Sequence, residues 1–191
     1  MSLDLPGFAD PVGEAQRTFR AVLDAMAHPG RSHLIGERVR PPSPLASATA
    51  ALLLTLVDAD TPLWLSPAHA PARDWVQFHT GAPITDDPAR AAFAVASGRA
   101  DLTAFATGCD EAPENSATVI LEVAGFDGGQ RLHLSGPGLH LPATLSVQGL
   151  HPEFPAIWAA NHALYPRGVD LLLVAGPTLV ALPRSLRVVA G

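Results

Sequence analysis

An α/β domain with a mixed β-sheet is the fold this sequence predicts, and two observations carry the prediction. Short apolar, strand-like runs alternate with helical segments along most of the chain. Near the end, two glycine turns join consecutive strand-like runs as hairpins. The 191 residues fit one domain, 1–191, of three-layer-like build, a size that buries roughly 70% of the unfolded surface in its own core.

The elements follow in order. Asp10-Pro11 starts a helix in which Ala15, Phe19, Val22, Leu23 and Met26 recur at helical spacing until Pro29-Gly30 stops it. Arg38 to Pro44 is proline-rich and extended. Ser43-Pro44 then caps a buried helix bearing Leu45, Ala48, Leu52 and Leu56. Leu63-Trp64-Leu65 reads as a strand after the acidic turn Asp58 to Pro62. A helix near Ala72 to His79, an apolar Ala91 to Ala96 segment, a short helix near Leu102 to Ala106 and a strand from Thr118 to Val123 continue the alternation. Asp127-Gly128-Gly129 is predicted to join that strand to Arg131–Leu134, and Gly176-Pro177-Thr178 to join Leu171–Val174 to Leu179–Leu182. Pro155 to Leu164 reads as the helix between the two hairpins.

Composition excludes several functions. All twelve basic side chains are arginine and none is lysine, a bias typical of GC-rich genomes that nonetheless has chemical consequences. No residue offers the amine of a Schiff base or the phosphate-reaching lysine of a P-loop. Guanidinium groups still suit bidentate recognition of phosphate or carboxylate. A net charge of −6 with scattered arginines argues against nucleic-acid binding. The most apolar stretch, Leu45 to Val57, is shorter than the ~20 residues of a membrane span. The start Met1-Ser2-Leu3-Asp4-Leu5-Pro6 lacks the features of a signal peptide, and the lone Cys109 forms no intrachain disulfide, so a cytoplasmic protein is expected. Only 16% of residues are charged against 48% hydrophobic, whereas about 25% charge is usual. Part of the exterior is therefore expected to be interface between subunits.

Motifs that carry chemistry are sparse. Gly136-Pro137-Gly138 after a strand either cradles a phosphate with backbone N–H groups or is a structural turn. His28-Pro29-Gly30-Arg31 and His79-Thr80-Gly81 end helices, where imidazole either caps the helix dipole or meets a ligand. In Tyr165-Pro166-Arg167-Gly168, Arg167 either holds an anion or pairs with Asp170. The acidic pairs Asp86-Asp87 and Asp110-Glu111 read as caps or solvent-facing turns. The eight histidines show no metal-ligand spacing, and no nucleophilic triad is legible.

Six strings taken in order are more specific: Gly7-Phe8-Ala9-Asp10-Pro11 with Gln16-Arg17-Thr18-Phe19-Arg20; Met26-Ala27-His28-Pro29-Gly30; Leu56 to Trp64; His79-Thr80-Gly81-Ala82-Pro83; Leu134-Ser135-Gly136-Pro137-Gly138; and Tyr165 to Asp170. Together they resemble, nearly end to end, the PhnH subunits of the bacterial carbon-phosphorus lyase system. The resemblance implies a cytoplasmic homodimer with a fold similar to a reduced pyridoxal-phosphate (PLP) transferase domain without a working PLP site. It further implies a complex with the PhnG, PhnI and PhnJ subunits. In that system PhnG, PhnH and PhnI, with PhnL, act in displacing adenine from ATP by methylphosphonate, which yields ribose 1-methylphosphonate 5-triphosphate, while PhnJ cleaves the carbon-phosphorus bond. It supplies no catalytic residues. Within the strings or directly beside them, His28, Arg31, Asp60, Trp64, His79 and Arg167 are the candidates by chemistry for contacts to a nucleotide, a phosphonate or a partner. No metal ligand is assigned. The alternative is a stand-alone transferase or hydrolase using arginines to bind a phosphorylated small molecule; a regulatory PLP-binding remnant is a third possibility.

Overall fold

The computed structural model describes residues 5–191. The start Met1-Ser2-Leu3-Asp4, used above to argue against a signal segment, lies outside them. Asp10 caps the first helix, α1 (Pro11–Ala27), by accepting a hydrogen bond from the Gly13 N–H, as an aspartate before an N1 proline is suited to do. The helix nevertheless turns an unexpected face inward. Glu14, Thr18, Val22 and Ala25 are buried, while Val12, Phe19 and Leu23 point to solvent.

A two-residue strand β1 (His33–Leu34) follows, then α2 (Ser47–Leu56), which starts three residues after Pro44. Ala46 is its cap residue and has no capping side chain of its own, so Ser43 does not cap this helix. Next come β2 (Leu63–Leu65), α3 (Arg73–Thr80), β3 (Phe93–Ser97) and β4 (Thr118–Glu122). The remainder is β5 (Gly125–Ser135), β6 (Ala143–Gln148), α4 (Phe154–His162), β7 (Asp170–Ala175), β8 (Thr178–Leu182) and β9 (Arg187–Ala190). The short helix expected near Leu102 is a single 3₁₀ turn, Leu102–Ala104.

Six strands form one mixed sheet in the order β1-β8-β7-β4-β3-β2, in which β2, β3, β4 and β7 run parallel, β8 runs antiparallel to β7, and β1 runs antiparallel to β8. The β7–β8 hairpin at Gly176-Pro177 is as the sequence predicts. The predicted pairing of β4 with the next strand is wrong. Both edges of β4 are taken by parallel neighbours, so β5 finds its partners in a second sheet, β6-β5-β9. Gly128 and Gly129 lie inside β5, at an irregularity between Gly125 and Gln130 in the pairing with β6. A Cβ at Gly129 would come within 2.5 Å of the Val147 carbonyl oxygen, which explains the glycine better than a hairpin does.

Alternation along the central strands supplies two cores. Ile120, Leu172, Val174, Leu179 and Ala181 face α2, Trp75 and Val76 of α3, and the inner residues of α1. Val119, Leu121, Leu171, Leu173, Val180 and Leu182 face α4 and the second sheet, through Phe154, Trp158, Leu132, Leu134 and Val147. Two of the three indoles are fully buried with their N–H satisfied: Trp75 donates to the Leu5 carbonyl at 2.9 Å and Trp158 to the Leu186 carbonyl at 2.8 Å. Helices, central sheet, and second sheet with α4 form the three layers. Among the described residues no helix is long and apolar enough to cross a membrane.

Candidate functional site

The six candidate residues do not converge. His79 ends α3, where its Nε2 lies 3.1 Å from the Leu5 carbonyl and its ring lies against Trp75; it ties down the N-terminal segment. Trp64 sits on β2 and packs edge-on to Phe105 at 5.5 Å. Asp60 lies in an exposed turn closed by Asp58, whose Oδ1 accepts from the Asp60 N–H and the Thr61 hydroxyl. Those hydrogen bonds, the Thr61 one foremost, hold the Asp58 carboxyl below its ordinary pKa.

Arg167 does not pair with Asp170. Its Nε lies 3.2 Å from Asp110 Oδ1 on the surface, and Asp170 is occupied by Arg184. The turn around Arg167 is fixed by buried Asn161, which accepts from the Val169 N–H at 2.8 Å and donates to the Val169 carbonyl at 3.0 Å. Gly168, at φ 114°, fits against the Asn161 carbonyl.

Only His28 and Arg31 meet, around Asp24 on the last turn of α1. His28 Nδ1 is 3.0 Å from Asp24 Oδ1, Arg31 Nη1 is 3.5 Å from Oδ2, and His33 of β1 brings its Nε2 to 3.3 Å from Oδ2. His28 Nδ1 also lies 3.1 Å from the Asp24 carbonyl, the capping role that a helix C-terminus favours. This corner packs on the Gly136-Pro137-Gly138 turn: a Cβ at Gly138 would lie 2.4 Å from the Ala27 carbonyl oxygen. Close packing accounts for Gly138, and two of the motif strings are neighbours in space.

Beside α1 the structure opens a cleft of about 370 Å³ lined by Phe8, Glu14, Arg17, Thr18, Gly36 and Arg38, among others. The volume falls in the range of small-molecule sites. Glu14 is buried in its wall and accepts the Ala9 N–H at 3.1 Å. Arg17 and Arg38 have no carboxylate within ion-pair distance among the described residues.

A second cluster lies where the parallel strands end. Ser66, just past β2, places its hydroxyl 2.7 Å from His69 Nδ1, and His69 Nε2 lies 3.2 Å from Oε2 of Glu122, the last residue of β4. Glu122 Oε1 accepts the Ala46 N–H at 2.8 Å and so caps α2 from a distant part of the chain. Burial pushes the Glu122 carboxyl up, but hydrogen bonds, that from His69 first, outweigh it and hold the group below its ordinary pKa. No spacing rule reveals a pair 53 positions apart; the one available signal was a histidine three residues after a serine at a strand end. Among the described residues no group of three His, Cys, Asp or Glu is arranged to hold a metal.

Comparison with known sequences assigns the family. The profile described as "Bacterial phosphonate metabolism protein (PhnH)" matches residues 6–189. The chain belongs to the PhnH family. It is 42% identical over 185 residues to the alpha-D-ribose 1-methylphosphonate 5-triphosphate synthase subunit PhnH of Rhizobium meliloti (strain 1021), covering 94% of this chain and 92% of that one. HtxG of Stutzerimonas stutzeri, whose name links it to C-P lyase, is 33% identical over 174 residues, covering 91% of this chain and 85% of HtxG. The PhnH match spans all six motif strings in full, whatever each side chain does locally.

Proposed function

We propose that this PhnH protein is a cytoplasmic subunit of the carbon-phosphorus lyase machinery that supports formation of ribose 1-methylphosphonate 5-triphosphate from ATP and methylphosphonate. It acts as a homodimer and docks PhnI, PhnG and PhnJ, with PhnL joining the transfer step. The identity to a subunit of that synthase over 94% of the chain carries the proposal. The structure supports an assembly role: α1 buries Glu14 and Thr18 at 8% and 3% exposure while Val12 is 70% and Leu23 54% exposed. An amphipathic helix that turns apolar residues outward is suited to cover them with another chain. Leu34 is likewise exposed, on β1, an edge strand of the sheet.

Within this proposal the fold serves as a PLP-transferase-like scaffold that binds no PLP, since no lysine is present to form its Schiff base. Contacts to the nucleotide or phosphonate fall to His28 and Arg31 at the α1 corner. Co-expression with PhnG, PhnI and PhnJ, followed by native mass measurement, tests the assembly. A stable complex containing this chain is expected, and purification of this chain free of all three would overturn the proposal.

The cleft with Arg17 and Arg38 favours one second reading, a stand-alone transferase or hydrolase of a phosphorylated small molecule. Turnover of ATP with methylphosphonate by the purified chain without partners would establish it over the docking role.

A further inference from the structure

We propose that Ser66 is a nucleophile, with His69 as its base and Glu122 as the positioning carboxylate, in a site for a small uncharged carboxylic ester. The hydroxyl-to-imidazole distance of 2.7 Å and the imidazole-to-carboxylate distance of 3.2 Å meet the test for an activated nucleophile: base within reach, and base oriented by a third group. With Glu122 ionised, the neutral His69 ring carries its proton on Nε2 and donates it to Oε2. Nδ1 is then the acceptor facing the serine hydroxyl. The nitrogens are exchanged relative to the familiar serine hydrolases, but either one serves as a base.

Ser66 and Glu122 lie at the carboxyl ends of two parallel strands separated only by β3, the end of the strands from which α/β sheets present ligand-binding groups. Ser66 is half-buried while His69 is buried, so the base is shielded. The Ser66 N–H bonds the Val95 carbonyl at 2.9 Å, fixing the nucleophile's backbone. In the turn from Ser66 to Ala70, the His69 and Ala70 N–H groups both serve the Ser66 carbonyl. The Ala68 N–H is left uncommitted among the described residues and is the donor assigned to the oxyanion. Among the described residues the one charge within hydrogen-bond reach of His69 is a carboxylate, which repels phosphate monoesters and favours a neutral substrate.

The chemistry balances. Ser66 Oγ bonds to the ester carbonyl carbon as its proton passes to His69 Nδ1; the C–O bond to the alcohol breaks and the alcohol leaves with that proton. Water then attacks the acyl-serine, gives one proton to His69, and releases the acid as Ser66 regains its own. This activity is separate from the phosphonate role and does not depend on it.

A fluorophosphonate probe tests the nucleophile in the full-length chain, because the Ser66 oxygen displaces fluoride and leaves a stable adduct. One adduct per chain at Ser66, located by peptide mass, is expected, together with p-nitrophenyl acetate turnover; both are lost in Ser66→Ala. His69→Ala should slow labelling at least about 100-fold, the lower end of general-base contributions. Glu122→Gln should lower the maximal labelling rate about tenfold without changing the probe concentration at half-saturation, a split that a merely structural role would not produce. No adduct, equal labelling of Ser66→Ala, or labelling without turnover would overturn the proposal. The Ser66→Ala comparison decides the matter even where His69→Ala fails to fold.

Discussion

Asp170 and Arg184 hold the start of β7 to the end of β8 through a paired fork. Arg184 Nε lies 3.2 and 3.1 Å from the two Asp170 oxygens, its backbone N–H donates to Oδ1 at 2.7 Å, and Nη1 reaches the Pro113 carbonyl at 2.7 Å. Both side chains are only 15% exposed. Truncating one partner leaves the other charge without its counter-ion, so Arg184→Ala is expected to cost about 3 kcal/mol. Arg184→Lys should recover little, because one ammonium replaces a planar fork. Urea unfolding of the purified variants measures both.

Arg167, three residues before Asp170, behaves differently. Its ion pair with Asp110 is exposed on both sides, 40% and 75%, and is worth under about 1 kcal/mol. Arg167→Ala should leave thermal unfolding nearly unchanged while weakening co-purification with the partner subunits. Undiminished complex yield would show that this arginine serves only its own turn.

Asn161 does the structural work that the sequence suggested for Arg167. It replaces a strand partner for Val169 with two hydrogen bonds in a buried setting. Asn161→Ala leaves a backbone N–H and a carbonyl unpaired, at about 1–3 kcal/mol each. A marked drop in melting temperature is expected, against a small one for Arg167→Ala.

These contrasts show what was legible in the sequence. Helices α1, α2, α3 and α4, strand β2 and the β7–β8 hairpin follow from local periodicity and turn residues, which act over a few positions. The partner of β5 was not legible, because it depends on β3 and β7 occupying both edges of β4. Nor was the inward face of α1, where Glu14 is buried by bonding the Ala9 N–H and apolar Phe19 turns outward. The Ser66–His69–Glu122 chain joins two strand ends, so it exists only once the parallel sheet is assembled. His28 and Arg31 meet around Asp24 because they are close in the chain, whereas Asp60, Trp64, His79 and Arg167 answer to separate local tasks.

The outward face of α1 yields a prediction on assembly. Val12, Phe19 and Leu23 are spaced seven and four residues apart, so they share one side of the helix. Burying such side chains yields about 1.5–3 kcal/mol each. Phe19→Asp with Leu23→Asp should therefore disrupt self-association or partner docking while leaving unfolding of the single chain little altered. Sedimentation of the free protein and pull-down with PhnI distinguish which contact is lost.

Glu122 makes stability depend on pH in a defined direction. Its folded pKa lies below the unfolded value of about 4.5, so across the interval between them the unfolded chain binds more protons than the folded one. The resulting stabilisation is complete above the unfolded pKa and is lost as pH falls through the folded pKa. Glu122→Gln retains an oxygen for the Ala46 N–H but carries no charge to titrate, so it lacks this increment. The variant should be less stable than the parent at about pH 7, and the gap should narrow below about pH 4. Denaturant midpoints taken across that range measure the difference, and a gap that stays constant would show that Glu122 acts through its shape and hydrogen bonds alone.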